Sequence, residues 1–167
     1  MTKHILSLSL LLITFFSAKS QSEIYGGFRF GTNYSVLTEK NDNFSSGIGY
    51  NIGYYEVLEL PNKINFQVEA NYSSYAFTTK IGSNKETERY SNIEIPVMVK
   101  YRLSPNVAAG IGYQFNLASD LKTSGPILDI SSKGPKTIFG LRLFSADAPT
   151  GDNYINTSLY LGFSIFK

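Results

Sequence analysis

One segment near the middle of the chain, residues 91–102, alternates strictly between apolar and polar side chains. One face of this period-two strand carries Ile93, Ile95, Val97, Val99 and Tyr101. The opposite face carries Glu94, Pro96, Met98, Lys100 and Arg102. A soluble sandwich or barrel would bury the apolar face. A transmembrane barrel would instead turn that face to lipid and enclose the charges.

The first twenty residues have the organisation of a secretory signal peptide. Lys3 and His4 form a basic start, an apolar run follows over residues 5–16, and Ala18-Lys19-Ser20 fits a small-x-small cleavage site. The apolar run is shorter than the ~20 residues that a membrane-spanning helix needs. We therefore predict a signal peptide over residues 1–20 and one mature domain over residues 21–167.

The composition of the mature chain excludes several function classes. Loss of Lys3 and Lys19 leaves as many basic as acidic residues, so the charge gives no reason to expect a nucleic-acid partner. His4 is the only histidine and there is no cysteine. The mature chain thus lacks the residues of Ser-His-Asp and Cys-His nucleophiles and of His/Cys metal sites. We predict no enzymatic activity, no cofactor and no metal site.

The same period-two alternation recurs along the whole mature chain, and no segment shows sustained helical periodicity. It predicts eight strands, at residues 24–36, 48–60, 64–78, 91–102, 107–118, 126–132, 139–143 and 155–165. The sixth is the least regular, because Ile127-Leu128-Asp129-Ile130 does not alternate cleanly. We include it because both ends of such a barrel lie on one side, which requires an even number of strands.

The predicted connections alternate between short and long. Residues 60–63, 103–106 and 133–136 are tight turns that contain proline. Longer polar segments lie at residues 38–45, 79–89, 119–125 and 146–153. Short turns at one rim and longer loops at the other are typical of an outer-membrane barrel.

Two residues fit this scheme poorly. Glu56 falls on the apolar face by parity, which a bulge near Tyr55 or an interfacial position near the short-turn rim would relieve. Pro96 lies in mid-strand, where it removes a ladder donor, and we predict a local bulge there as well.

The polar faces are rich in glycine, asparagine and glutamine and predict a narrow interior. By parity they enclose a polar cluster of Arg29, Glu69, Glu94, Lys100 and Arg142, together with Gln67, Met98 and Gln114. An eight-stranded barrel is just wide enough for side chains to fill. We expect the enclosed charges to pair as structural filling and to prevent general diffusion; a proton or ion path is the alternative.

With these strands placed, the chain resembles a known family, the small outer-membrane β-barrel proteins of Bacteroidota, labelled porin-family or PorT-like. The run Ile93-Glu-Ile-Pro-Val-Met-Val-Lys-Tyr101 carries the resemblance. The last strand is similar to a barrel-assembly signal, at Tyr160, Gly162, Phe163 and Ile165. The resemblance implies a location in the outer membrane, contact with its lipid and with the barrel-assembly machinery, and a monomer.

Two function classes follow from the two possible orientations of the strands. The first is an all-β, antiparallel up-and-down transmembrane barrel with a structural or interaction role, whose partner could be an envelope protein. The second is a secreted lipocalin-like barrel that turns its apolar faces inward around a small hydrophobic ligand. A lipid-modifying barrel enzyme is a third class, which the missing histidine disfavours.

Overall fold

The computed structural model describes residues 23–37, 44–81, 84–119, 124–147 and 153–166. They form eight strands: β1 (Glu23–Leu37), β2 (Phe44–Glu59), β3 (Ile64–Ile81), β4 (Asn84–Arg102), β5 (Val107–Ser119), β6 (Gly125–Lys133), β7 (Thr137–Asp147) and β8 (Asn153–Phe166). The predicted signal peptide lies outside the described residues. Within the described ranges, no helix is long and apolar enough to cross a membrane.

The eight strands close into one antiparallel barrel. Each strand pairs with the next along the chain, and β1 pairs with β8 from Gly26 opposite Phe166 to Leu37 opposite Tyr154. Closure gives each strand a neighbour on both sides and removes the unpaired edges of an open sheet. The predicted all-β, eight-stranded, up-and-down barrel is confirmed.

The two faces of the barrel differ sharply in polarity. Outward-facing apolar side chains are exposed, with Phe28 at 57%, Ile48 at 66% and Phe139 at 57% of their accessible surface. Inward-facing side chains such as Arg29 and Glu69 are both 2% exposed. Since a lipocalin-like carrier would have the opposite arrangement, that alternative is wrong.

Three tight turns and both described chain ends meet at one rim. In the turns, the amides of Leu60, Leu103 and Gly134 donate to the carbonyls of Ile64, Val107 and Thr137 at 2.8, 2.8 and 2.7 Å. Asn62 and Lys63 adopt positive φ angles of 63° and 66°, which allow the chain to reverse tightly between β2 and β3. The three predicted turns are confirmed.

The predicted loop over residues 79–89 is wrong. β3 continues to Ile81 and β4 begins at Asn84, so most of this segment is a paired hairpin whose last pair is Ile81 opposite Asn84. Both faces of the hairpin carry polar residues, and a strand that is solvated on both faces loses the alternation that reveals it. The other three predicted loops lie mainly at residues 38–43, 120–123 and 148–152, outside the described residues.

The sixth strand is regular despite its unclear pattern. Ile127 and Asp129 are buried, whereas Leu128 and Ile130 are exposed. The sequence hides this alternation because Ile127, which faces inward, is as apolar as Leu128, which faces outward.

The structure resolves both misfits. The strand has regular pairing around Tyr55, so of the two alternatives predicted for Glu56 the bulge is wrong and the position near the short-turn rim is confirmed. Glu56 lies on the outer face close to the short-turn rim, where the Tyr54 hydroxyl donates to it at 3.0 Å. The bulge predicted at Pro96 lies two residues earlier, where the β4–β5 register shifts between Ile93 and Glu94.

Candidate functional site

The polar interior of the barrel is the candidate site. Six charged side chains are buried among the described residues: Arg29, Glu69, Glu94, Lys100, Asp129 and Arg142. They are three cations and three anions, so their formal charges balance. All five charged residues that parity predicted to face inward are in this set. The sixth, Asp129, was not predicted.

Glu69 on β3 is the first centre of the network. Its carboxylate accepts hydrogen bonds from Arg29 at 2.6 Å and from both terminal nitrogens of Arg142 at 2.7 Å. The Asn71 amide donates to it at 2.8 Å, and the Gln67 amide donates to its other oxygen. Two charge-assisted arginine contacts on one carboxylate are strong interactions that also fix the orientation of all three side chains.

Asp129 on β6 is the second centre. It forms ion pairs with Lys100 of β4 and with the Arg142 Nε atom at 3.0 Å. The Tyr160 hydroxyl of β8 donates to it at 3.0 Å. Arg142 therefore bridges the two carboxylates, Glu69 and Asp129.

The Tyr160 ring lies beside the same network. The Arg29 guanidinium carbon is 3.9 Å from the ring centroid, and that of Arg142 is 5.3 Å away. Such cation–π contacts favour a desolvated guanidinium over an aromatic face. One aromatic side chain thus joins both arginines to Asp129.

Glu94 lies further from the short-turn rim. The hydroxyls of Ser73 and Tyr75 each donate to its carboxylate at 2.7 Å. Tyr75 belongs to a buried apolar cluster that also contains Phe77, Met98, Ile127, Phe144 and Tyr154. Glu94 thus meets this apolar cluster, and Met98 of the same cluster accepts from the Arg142 guanidinium at 3.4 Å.

A third ionic group closes the short-turn rim. Glu59 accepts from Lys133 at 2.6 Å and from Arg102 at 3.4 Å. The Lys133 ammonium lies 3.8 Å from the centroid of the Tyr25 ring. Parity placed Arg102 on the polar face of its strand, but the contacts of Arg102 and Lys133 with Glu59 were not predicted.

Glycine makes room for the large interior side chains. A Cβ atom at Gly140 would lie 2.3 Å from the Tyr160 Cζ atom, and one at Gly110 would lie 2.5 Å from the Lys100 Cγ atom. These positions cannot hold a larger residue while Tyr160 and Lys100 keep their places. The glycine-rich polar faces therefore reflect a crowded interior.

The residues of the predicted assembly signal divide between the two faces. Tyr160 and Gly162 are buried, whereas Phe163 and Ile165 are 43% and 59% exposed on the outer face. Within the described ranges, no group of three or more His, Cys, Asp or Glu side chains is placed to hold a metal ion. The site consists of mutually neutralising charges, hydroxyls and amides.

A family model described as outer membrane protein beta-barrel domain matches residues 16–166. The chain belongs to this family. Its location is accordingly the cell outer membrane, and the apolar outer face of the barrel is its lipid-contacting surface. In such barrels the short turns are periplasmic, which places the Glu59 group at the periplasmic rim.

Solved structures show the same fold at low sequence identity. Ail, the attachment invasion locus protein of Yersinia pestis, in complex with the heparin analogue sucrose octasulfate, has a TM-score of 0.53 and 11% identity, over 86% of this chain and 99% of Ail. A second Ail structure gives a TM-score of 0.52 with the same identity and coverage. Neisserial surface protein A has a TM-score of 0.48 and 13% identity, over 86% of this chain and 99% of that protein. No curated protein matches in sequence.

Proposed function

We propose that this protein is a small, monomeric outer-membrane barrel with a structural or interaction role, no enzymatic activity, and an interior closed to general diffusion. The observation that carries the proposal is the charge network that crosses the interior. It joins Arg29 of β1, Glu69 of β3, Lys100 of β4, Asp129 of β6 and Arg142 of β7 through direct contacts.

Packing on both sides of this network supports a closed interior. Towards the short-turn rim lies a buried cluster of Tyr25, Tyr55, Val57, Ile138 and Tyr160. Towards the other rim lies the cluster around Tyr75 and Tyr154. A solute would have to displace aromatic side chains at two levels and separate buried ion pairs between them. Aqueous channels are a property of much larger barrels, of roughly sixteen strands.

Planar-bilayer conductance and liposome swelling test the closed interior. The purified wild-type barrel should give no large steady openings and no sugar-dependent swelling. The matched variant Glu69→Ala/Arg142→Ala removes one anion and one cation, keeps the charge balance, and should conduct more than wild type. Steady porin-like openings from the wild-type monomer would refute the proposal and favour transport.

The β3–β4 hairpin supports the interaction role. β3 has 18 residues and β4 has 19, against 9 in β6, so this hairpin is the longest in the described barrel. Its residues Glu86, Thr87, Glu88 and Arg89 are exposed. The sequence of the hairpin holds three cations and two anions, Lys80, Lys85, Arg89, Glu86 and Glu88, so its charge is mixed in sign. It suits a protein partner in the envelope.

Site-specific cross-linking in intact cells tests this role. A photoreactive residue at Thr87 should give a discrete protein adduct, whereas the same residue at Thr32, which is exposed on the outer face of β1, should not. Equal labelling from both sites, or none from Thr87, would argue for a purely structural barrel.

The more specific assignment to Bacteroidota PorT-like proteins is part of the same proposal and is supported by the run from Ile93 to Tyr101. Contact with the barrel-assembly machinery through the last strand is likewise proposed. Phe163→Ser should then slow assembly of the barrel in cells, whereas Phe139→Ser, an equally outward aromatic residue on β7, should slow it less.

A further inference from the structure

A cleft at the short-turn rim has the chemistry of a phospholipid site. It has a volume of about 320 Å³ and lies between the β6–β7 turn and the end of β8. Its polar lining includes Lys133, Lys136 and Ser164, and its apolar lining includes Ile165 and Phe166. The turn is held against β8 because the Ser164 amide donates to the Lys136 carbonyl at 2.9 Å.

The cleft carries unbalanced positive charge. It is lined by two lysines and by no acidic residue. Lys133 contacts Glu59 at 2.6 Å, and it shares this carboxylate with Arg102. Lys136 is exposed and has no ion-pair partner among the described residues. An anionic group in the cleft would therefore meet one uncompensated ammonium, beside the hydroxyl of Ser164.

The apolar side of the cleft continues into the lipid-contacting surface. Ile165 is 59% exposed and Phe166 is 40% exposed, and the outward rings of Phe139 and Phe163 lie further up the same two strands, β7 and β8. Since the short turns of such barrels are periplasmic, the cleft lies at the headgroup level of the periplasmic leaflet. A molecule that fits must have an anion at the rim and apolar chains that extend towards the membrane core.

We propose that this cleft binds a glycerophospholipid of the periplasmic leaflet, with the phosphate at Lys136 and the acyl chains along Ile165, Phe166 and the neighbouring aromatic rings. A lysine near a membrane surface adds roughly 1 kcal/mol to the binding of anionic lipid, which is about fivefold in affinity. The site does not depend on whether the interior conducts.

Native mass spectrometry of the detergent-solubilised mature barrel, titrated with dioleoylphosphatidylglycerol, tests the proposal. Lys136→Gln should weaken the first lipid-binding event about fivefold, and Lys136→Arg should retain it. Lys63→Gln is the matched control, because Lys63 is exposed in another short turn and lies outside the cleft. Far-UV circular dichroism verifies that each variant is folded, and Lys136→Glu provides a second, stronger perturbation.

Two competitors separate the contribution of the phosphate from that of the acyl chains. Dioleoylglycerol, which lacks the phosphate, and inorganic phosphate, which lacks the chains, should each compete poorly. Equal losses in Lys136→Gln and Lys63→Gln would overturn the site in favour of diffuse rim charge. Effective competition by dioleoylglycerol would reduce it to apolar contact, and effective competition by inorganic phosphate would make it a free-anion site; either result overturns the proposal.

Discussion

Replacement of Glu69 by glutamine should be among the most damaging single changes in the interior. The Glu69 carboxylate contacts Arg29 at 2.6 Å and Arg142 at 2.7 Å, and its side chain is fully buried. Glu69→Gln keeps the shape but removes the charge and turns one acceptor into an amide donor that faces a guanidinium. The interior would then hold three cations and two anions.

The expected cost follows from the burial of these pairs. Removal of one partner from a buried ion pair costs about 3–5 kcal/mol, because the remaining charge stays desolvated. Arg142 keeps Asp129 at 3.0 Å, whereas Arg29 keeps only the Asn51 amide oxygen at 3.4 Å and the Tyr160 ring among the contacts described. We therefore expect a loss of about 3–5 kcal/mol in the free energy of unfolding.

Equilibrium unfolding in urea, with the barrel in phospholipid vesicles, measures this loss. The chain has no tryptophan and 12 tyrosines, so far-UV circular dichroism and tyrosine emission are the signals. Glu56→Gln is the control, because Glu56 is exposed on the outer face, and should change stability by no more than about 0.5 kcal/mol. If Glu69→Gln is as stable as this control, the network is not stabilising. A double-mutant cycle with Arg29→Gln should give a non-zero coupling energy.

Three further predictions test the outer face, the packing and the maturation of the chain. Val97→Arg on the lipid-contacting face should lower the free energy of unfolding by about 2–4 kcal/mol, and the folded fraction with it, whereas Val97→Leu should be nearly neutral. Equal folded fractions for the two variants would contradict the face assignment. Gly140→Val should displace the Tyr160 ring and cost about 1–3 kcal/mol in urea unfolding, and this cost should disappear in a Tyr160→Ala background; if it persists, the clash is not with Tyr160. N-terminal sequencing of the protein from the outer membrane should begin at Gln21, and recovery of Met1 would contradict cleavage.

Much of the barrel could be predicted from the sequence because alternation is a local property. Whether a side chain faces in or out depends only on its parity within a strand. Arg29, Glu69, Glu94, Lys100 and Arg142 are all buried as parity predicted. Pro96 and Glu56 are exceptions that parity also identifies: Glu56 takes the predicted position near the short-turn rim, whereas the register shift expected at Pro96 lies between Ile93 and Glu94.

Parity fails where a strand lacks contrast between its faces. Residues 79–89 at the end of the β3–β4 hairpin are almost all polar, so the sequence predicts a loop where the chain continues as two paired strands. Asp129 could not be assigned by parity because Ile127, two residues earlier, also faces inward. An apolar residue on the inner face of β6 removes the contrast between its two faces. The charge balance of the interior is one signal in the sequence that points to Asp129. The five charged residues predicted to face inward are three cations and two anions, so one more acid is needed for a neutral interior.

The sequence by itself determined most of the strands and the polarity of their two faces, since both depend on residues close together in the chain. That the apolar face is the outer one was decided by the structure, where Phe28, Ile48 and Phe139 are exposed and Arg29 and Glu69 are buried. Only the tertiary structure decided which charges meet. Glu69 contacts Arg29, 40 residues away, and Arg142, 73 residues away. Such pairs depend on closure of the barrel and on the register of every intervening strand, and a register shift of one residue would turn each side chain to the other face.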